Sequence, residues 1–279
     1  MLNAKKRPIQ FILFFYIACF VFRFVEYFFI RTDQSIIGEA FIHKLIGILL
    51  LAVAMNYLGY KWRDMGFRAN NALKGICYGL LFGIAVFAVA YCAEMIINSS
   101  MGNRPSLQFY FTSYTVDGNR AINGGAVFIL ICILGNIINV IMEEGVFRGL
   151  FIKLAEQKYS FLKACIISSV LFGFWHIAAP LRNAIDGVQS PMGAFMTGLM
   201  LVATSTLAGI QYAMLYKMTG DLWASMALHF ANNTSVNLLH VVTASGADEL
   251  QTIRLSITGT LSFVIVLIMF LRYRAKQKK

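Results

Sequence analysis

The sequence predicts an all-α fold, a polytopic bundle of transmembrane helices. Hydrophobic residues make up 58% of the 279 residues and charged residues 13%, whereas an ordinary soluble domain carries roughly 25% charged residues. The mean hydropathy is +0.68. A soluble protein of this composition would lack the polar surface that must face water. The same values exclude disordered chains and disulfide-rich scaffolds.

About eight runs of the chain are apolar enough for a spanning helix, which needs about 20 such residues. The eight predicted spans are Ile9–Ile30, Phe41–Tyr60, Gly75–Ile97, Gly124–Leu154, Leu162–Ala179, Met192–Tyr216, Leu222–Val242 and Leu255–Leu271. The first run follows basic residues, as the apolar core of a signal peptide does. It is too long for one and precedes no small-residue cleavage site, so we expect a spanning helix.

The distribution of basic residues predicts the orientation of the bundle. With the N-terminus placed in the cytoplasm, 16 of the 24 Lys and Arg residues fall on the cytoplasmic side and 5 on the opposite side. This asymmetry follows the positive-inside rule and places both termini in the cytoplasm, most simply at the plasma membrane. The net charge of +11 therefore reflects topology. We expect a lipid bilayer as the partner and no nucleic acid.

A pair of adjacent carboxylates interrupts the fourth predicted span. Glu143 and Glu144 follow the apolar stretch Ala126–Ile141. Glu144 and Arg148 are four residues apart, so they can pair on one helix face, whereas Glu143 points about 100° away. Two adjacent carboxylates in a low-dielectric environment do not both ionise readily, which suits one of them to proton transfer. An ion pair that only locks two helices explains the same residues.

Two further polar motifs lie on separate spans. Phe172 and His176 are four residues apart on the fifth span, and His229 and Asn233 are four apart on the seventh. Residues at this spacing share one helix face, so His229 and Asn233 can donate hydrogen bonds in the same direction. A lone histidine on an apolar helix is often a core residue, and His–Asn pairs also serve as polar contacts between helices.

The first span also carries a charged pair, Arg23 and Glu26, three residues apart. We expect these two residues to pair with each other and to have a structural role. Five further polar residues lie near the ends of spans, where they can reach the interface, and we assign them no chemistry: Glu39, His43, Lys44, Glu94 and His240.

The three motifs together favour hydrolysis by water. A glutamate with a histidine can hold and deprotonate a water molecule, and a His–Asn pair can stabilise a developing oxyanion. Other intramembrane protease chemistries are excluded by the sequence. It contains no H-E-x-x-H zinc motif and no G-x-S-x-G elbow, and no predicted span carries an aspartate.

These motifs resemble those of the type II CAAX prenyl endopeptidase family, also called CPBP or Abi intramembrane proteases. Glu143-Glu144-x-x-x-Arg148, Phe172-x-x-x-His176 and the His–Asn motif of the seventh span occur in the family's order. The resemblance implies that Glu143 with His176 activates water and that the His–Asn pair forms the oxyanion site. Glu144 and Arg148 would brace the site, with Phe172 in support. Which glutamate acts as the base stays open.

The leading interpretation is therefore an intramembrane, glutamate-dependent endopeptidase that cleaves a membrane-associated protein or peptide. Buried charges need water, so we expect a water-filled cavity open to the cytoplasm. We expect no cofactor, although Glu and His can also bind zinc. A scaffold or bacteriocin-immunity protein is the main alternative, and a transporter is the third. The predicted regions are 1–123 with three spans and an external loop, 124–242 with the catalytic core, and 243–279 with the last span and a basic tail.

Overall fold

The computed structural model describes residues 6–35, 39–111, 125–244, 246 and 248–277. Within these ranges the chain forms ten α-helices: α1 (Pro8–Val25), α2 (Ile42–Leu58), α3 (Ala72–Ser100), α4 (Ala126–Glu143), α5 (Ile152–Ala155), α6 (Phe161–Trp175), α7 (Ala178–Ile185), α8 (Pro191–Thr219), α9 (Trp223–Leu238) and α10 (Gln251–Gln277). Two π-helical segments, Glu26–Ile30 and Glu144–Phe151, extend α1 and α4.

Each of the eight predicted spans coincides with one or more of these helices. Six helical stretches of the described chain are long and apolar enough to cross a membrane: Pro8–Gln34, Ala69–Ser100, Ala126–Ala155, Phe161–Ile185, Pro191–Thr219 and Gln251–Gln277. The other two, α2 and α9, are shorter, with 17 and 16 residues. The all-α polytopic bundle is confirmed. Residues 112–124, which contain part of the predicted external loop and the predicted start of the core region, lie outside the described residues.

The end of the seventh predicted span is a strand, which corrects the prediction of a helix through Val242. Leu239–Val242 forms β2 and pairs antiparallel with β1 (Ser106–Phe109). The chain leaves the helix at Leu239, which has φ −117° and ψ 120°. The β-branched Val241 and Val242 favour this extended backbone. Hydrophobic periodicity alone does not distinguish so short an apolar run from the last turn of a helix.

Small residues bring α3 and α9 into close contact. Three glycines of α3 recur every fourth residue and face α9. A Cβ atom at Gly79 would lie 2.4 Å from the carbonyl oxygen of Ala224 and 2.6 Å from Cβ of Ala227, and one at Gly83 would lie 2.7 Å from Cβ of Ala231. Without such side chains the two backbones approach closely, as is common between membrane helices. This contact positions α9, which carries His229.

The predicted pair between Arg23 and Glu26 is wrong. Both residues are buried, but the Glu26 carboxylate accepts hydrogen bonds from the backbone N–H groups of Phe41, Ile42 and His43, at 2.9, 2.9 and 2.6 Å. Glu26 therefore caps the N-terminus of α2, whose unpaired N–H groups and positive dipole end attract a carboxylate. Arg23 instead lies with Nη1 3.0 Å from Nε2 of His43.

The prediction that polar residues near the span ends reach the interface is also wrong for four of them. His43, Lys44, Glu94 and His240 are all buried. At one end of the bundle, Arg254 forms ion pairs of 2.5 Å with both Glu94 and Asp248.

His240 lies 3.2 Å from the same Asp248 carboxylate. Burial opposes ionisation of Asp248, but hydrogen bonds from His240 and Arg254 outweigh it and hold the pKa of Asp248 below its ordinary value. The resulting charged cluster connects α3, β2 and α10.

Candidate active site

The two adjacent glutamates lie where α4 changes from α-helical to π-helical geometry. Glu143 is the last residue of α4, and Glu144 begins the π-helical segment. Both side chains are buried, with 2% and 0% of their surface exposed. Segments of π-helix are rare and occur frequently at functional sites, because the wider turn redirects side chains. Here the two carboxylates point to different partners.

Glu144 forms the predicted pair with Arg148. The distance from Nη1 of Arg148 to Oε1 of Glu144 is 3.2 Å, and both side chains are fully buried. The guanidinium carbon lies 4.0 Å from the ring centroid of Phe172 and 5.2 Å from that of Tyr212, so two aromatic faces cover the charge. Cation–π contacts of this kind are strongest where water is excluded. The contacts hold Arg148 between α6 and α8.

Glu143 accepts hydrogen bonds from two neutral groups. Nδ2 of Asn139 donates to Oε2 at 3.2 Å, and Nε1 of Trp175 donates to Oε1 at 2.9 Å. Sequence reasoning missed both donors as site residues. A signal was present for each of them. Asn139 lies one helical turn before Glu143, and Trp175 directly precedes His176.

His229 connects the two glutamates to α9. Its Nδ1 lies 2.9 Å from Oε1 of Glu144, and its Nε2 lies 3.6 Å from Oε2 of Glu143. The ring stacks on Tyr212 of α8 at a centroid distance of 4.9 Å. Because a carboxylate only accepts hydrogen bonds, the contact with Glu144 fixes a proton on Nδ1 and directs Nε2 towards Glu143. Sequence reasoning missed Tyr212, which lies in an apolar run without a recognisable motif.

His176 is half-buried at the C-terminal end of α6. Its Nδ1 lies 2.9 Å from the carbonyl oxygen of Phe172. A carbonyl accepts only, so Nδ1 donates and the lone pair of the neutral ring lies on Nε2. Phe172 contacts both histidines edge to face, with centroid distances of 4.9 Å to His176 and 6.0 Å to His229. Within the described chain, no ion pair joins His176 directly to a glutamate.

Asn233 lies on α9, one turn beyond His229, and is half-buried. Its Oδ1 accepts a hydrogen bond from Nδ2 of Asn232 at 3.3 Å. In the part of the chain that the structure describes, Asn233 makes no hydrogen bond to Glu143 or His229. A cavity of about 70 Å³ lies beside the site, between α3, α8, α9 and α10, and Tyr212 and Asn232 are among the residues that line it.

The site contains five ionisable side chains from α4, the π-helical segment, the end of α6 and α9: Glu143, Glu144, Arg148, His176 and His229. In the described ranges, no group of three or more His, Cys, Asp and Glu side chains is arranged to hold a metal ion. The arrangement offers a buried carboxylate with neutral hydrogen-bond donors, a second carboxylate paired with an arginine, and two imidazoles with different partners. Such a set can accept a proton on a carboxylate and donate hydrogen bonds from an imidazole.

Comparison with known proteins connects this geometry to a family. Residues 125–235 match the model of the family described as type II CAAX prenyl endopeptidase Rce1-like. The chain is also 26% identical over 178 residues to a protein of Bacillus subtilis (strain 168) named "Putative membrane peptidase YdiL"; the match covers 62% of this chain and 61% of that protein. The resemblance that the motifs predict is therefore confirmed over residues 125–235: this is an integral membrane protein in which that region is similar to the type II CAAX prenyl endopeptidase family.

Proposed function

We propose that the protein is an intramembrane endopeptidase that hydrolyses a peptide bond in a membrane-associated protein or peptide. The observation that carries the proposal is the different bonding of the two glutamates in the matched domain. Glu144 is paired with Arg148 and His229, whereas Glu143 accepts hydrogen bonds only from the neutral side chains of Asn139 and Trp175 in the described chain. This difference supports Glu143 as the general base and Glu144 as a positioning residue.

In the proposed reaction, Glu143 and His176 hold a water molecule between them. Glu143 takes a proton from the water while the oxygen of the water forms a bond to the carbonyl carbon of the substrate. The carbonyl π electrons move to the oxygen, which becomes an oxyanion. When the C–N bond breaks, the proton passes from Glu143 to the departing amine, so no external co-reactant is consumed. His176 contributes Nε2 as an acceptor for the second hydrogen of the water.

The oxyanion would be stabilised by His229 and Asn233. The contact of Nδ1 with Glu144 fixes the orientation of the imidazole, and Nε2 would donate to the oxyanion when the ring carries its second proton. Glu144 would thus act through His229, and Arg148 through Glu144. The amide of Asn233 would turn from Asn232 towards the substrate carbonyl when the peptide binds. A donor aimed at a developing oxyanion contributes about 100- to 1000-fold in rate.

The proposed reaction uses no metal, and its substrate is specified only as a membrane-associated protein or peptide. The relative's name describes a membrane peptidase, and the matched family acts on prenylated proteins by its description. We extend to this chain only the peptidase activity and a membrane-associated substrate. We further propose that both termini lie in the cytoplasm and that the site is reached from that side, as the distribution of basic residues predicts.

The experiment that tests this function compares membrane-fraction proteomes of cells that carry the wild-type protein or the Glu143→Gln variant. New peptide termini that occur only with the wild type, near the span ends of a few proteins, would support proteolysis and identify substrates. Glu156→Gln is the matched control, because this carboxylate pairs with Lys217 at the surface, away from the site. Identical termini in all three strains, with stable insertion of each variant, would overturn the proposal and favour a scaffold.

A further inference from the structure

The cavity of about 70 Å³ beside the candidate site lies deep within the helix bundle. Gly83, near the middle of α3, and Ser262, near the middle of α10, both line it. These helices have 29 and 27 residues, so each is about 40 Å long and its middle is about 20 Å from either end. The hydrocarbon core of a bilayer is about 30 Å thick, which places the cavity inside that core.

Three side chains that line this cavity carry polar groups without a hydrogen-bond partner among the described residues. Gln211 is 4% exposed, and its Oε1 accepts a hydrogen bond from Oγ of Ser262 at 3.2 Å. Its Nε2 makes no hydrogen bond with the part of the chain that the structure describes, and the same holds for the hydroxyl of Tyr212 and for Oδ1 of Asn232. Leaving a buried amide donor without an acceptor is unfavourable. The three groups include donors and an acceptor, so their common ligand must both accept and donate hydrogen bonds.

The cavity adjoins the candidate site through α8 and α9. Asn232 lines the cavity, and the next residue on α9, Asn233, points about 100° away, on the face that carries His229. Tyr212 belongs to both places, because it lines the cavity and its ring stacks on His229 at a centroid distance of 4.9 Å. Nε2 of His229 in turn lies 3.6 Å from Oε2 of Glu143. A small molecule held in the cavity is therefore separated from the glutamates by two side chains.

We propose that this cavity is a water-binding site that stores the water consumed in hydrolysis, an inference that rests on the proposed peptidase function. Water both donates and accepts, so it satisfies the amide of Gln211, the hydroxyl of Tyr212 and the amide oxygen of Asn232 together. One water molecule needs roughly 10–15 Å³ of such a volume, so the cavity accommodates about five. Each hydrolysis consumes one water molecule, which bulk water then replaces. Gln211 thereby acts as a positioning residue for the stored water.

The first measurement is hydroxyl-radical labelling of the full-length protein in detergent, in which X-ray pulses convert bound water into radicals that label the side chains beside it. Phe87 lines the cavity, whereas Phe151 is buried in the apolar core, and we expect Phe87 to be labelled at least about tenfold faster. Gln211→Met keeps the length of the side chain but removes the donor, and it should slow the labelling of Phe87 at least about threefold. Gln10→Met, at an exposed position of α1, is the matched control and should leave the labelling unchanged. Equal labelling of Phe87 and Phe151 in the wild type would show a dry cavity and overturn the proposal.

The second measurement is the single-turnover rate of cleavage of a substrate identified by the proteome comparison. Gln211→Met should lower this rate about tenfold, the loss expected when one bound water is no longer held in place, and Gln10→Met should keep it. A wild-type rate in Gln211→Met, with the labelling of Phe87 lost, would overturn the storage role. Ala208→Leu, which fills the cavity from α8, should have the same two effects and replaces Gln211→Met if the melting temperature shows that the latter is unfolded. A wild type that cleaves nothing would instead overturn the peptidase function and with it the storage role, while the labelling of Phe87 would still establish the water site.

Discussion

Replacing Gly79 by alanine tests whether the close contact of α3 with α9 sets the geometry of the candidate site. The added Cβ would lie 2.4 Å from the carbonyl oxygen of Ala224 and 2.6 Å from Cβ of Ala227. An unstrained contact between such atoms is about 3.5 Å. Because the nearer neighbour is a backbone atom that cannot rotate away, α9 has to move away from α3 by about 1 Å.

That displacement acts directly on His229. Its Nδ1 lies 2.9 Å from Glu144 and its Nε2 lies 3.6 Å from Glu143. Because α9 also packs against α4, a shift of about 1 Å changes these distances by up to about 1 Å, enough to disrupt a hydrogen bond of 2.9 Å. Misplacing a catalytic group by about 1 Å costs about 100-fold in rate. The overpacked interface should also destabilise the fold by about 1–3 kcal/mol.

The assay combines thermal unfolding in detergent with the rate of cleavage of a substrate identified by the proteome comparison. Gly259→Ala is the matched control, since a Cβ at that helical position meets no atom within 4 Å. It should keep the wild-type rate and melting temperature. Wild-type cleavage by Gly79→Ala, with an unchanged melting temperature, would refute the argument that α3 positions His229.

Four further predictions concern the site and the charged cluster. Trp175→Phe removes the hydrogen-bond donor to Glu143 but keeps an aromatic ring. We expect the cleavage rate to fall about tenfold, because a hydrogen bond to a charged group contributes about 1.5–3 kcal/mol. Single-turnover rates check this prediction. Arg148→Met leaves the buried carboxylate of Glu144 without its arginine and should lower the free energy of unfolding by about 3–5 kcal/mol, measured by denaturation in detergent. The lowered pKa of Asp248 predicts that its contribution to stability is full above about pH 4 and is lost as the pH falls below that value; the difference in melting temperature between wild type and Asp248→Asn should therefore disappear in acid. Metal chelators should leave cleavage unchanged, and loss of activity that zinc restores would contradict a metal-free reaction.

Patterns that depend on neighbours within one helix could be predicted from the sequence. The i, i+4 spacing of Glu144 and Arg148 predicts their pair, and the structure contains it. Arg23 and Glu26 have a similar spacing, yet they do not pair, because three backbone N–H groups at the start of α2 compete for the carboxylate. The decisive partner lies on another helix, and spacing along one helix does not identify it.

The neutral side chains that contact the site residues also could not be identified from spacing along one helix. The polar motifs predict which carboxylates and imidazoles take part, but not which neutral groups orient them. Trp175 precedes His176 in the sequence but points to Glu143 on another helix. Tyr212 belongs to α8, which carries no motif, and its role is visible only because its ring stacks on His229. The change to π-helix at Glu144 also leaves no recognisable periodic pattern in the sequence.

The candidate site depends on helices outside the domain that the family model matches. Trp175, which donates to Glu143, lies with its ring centroid 4.7 Å from the guanidinium carbon of Arg23 on α1 and 5.9 Å from the ring of His43 on α2. The glycines of α3 set the approach of α9, and so of His229. Residues 125–235 therefore contain every motif but not all of the contacts that hold the motifs in place. A fragment limited to those residues should insert its helices yet misplace both the proposed base and the proposed oxyanion donors, because the surfaces that orient Trp175 and α9 would face lipid instead of protein.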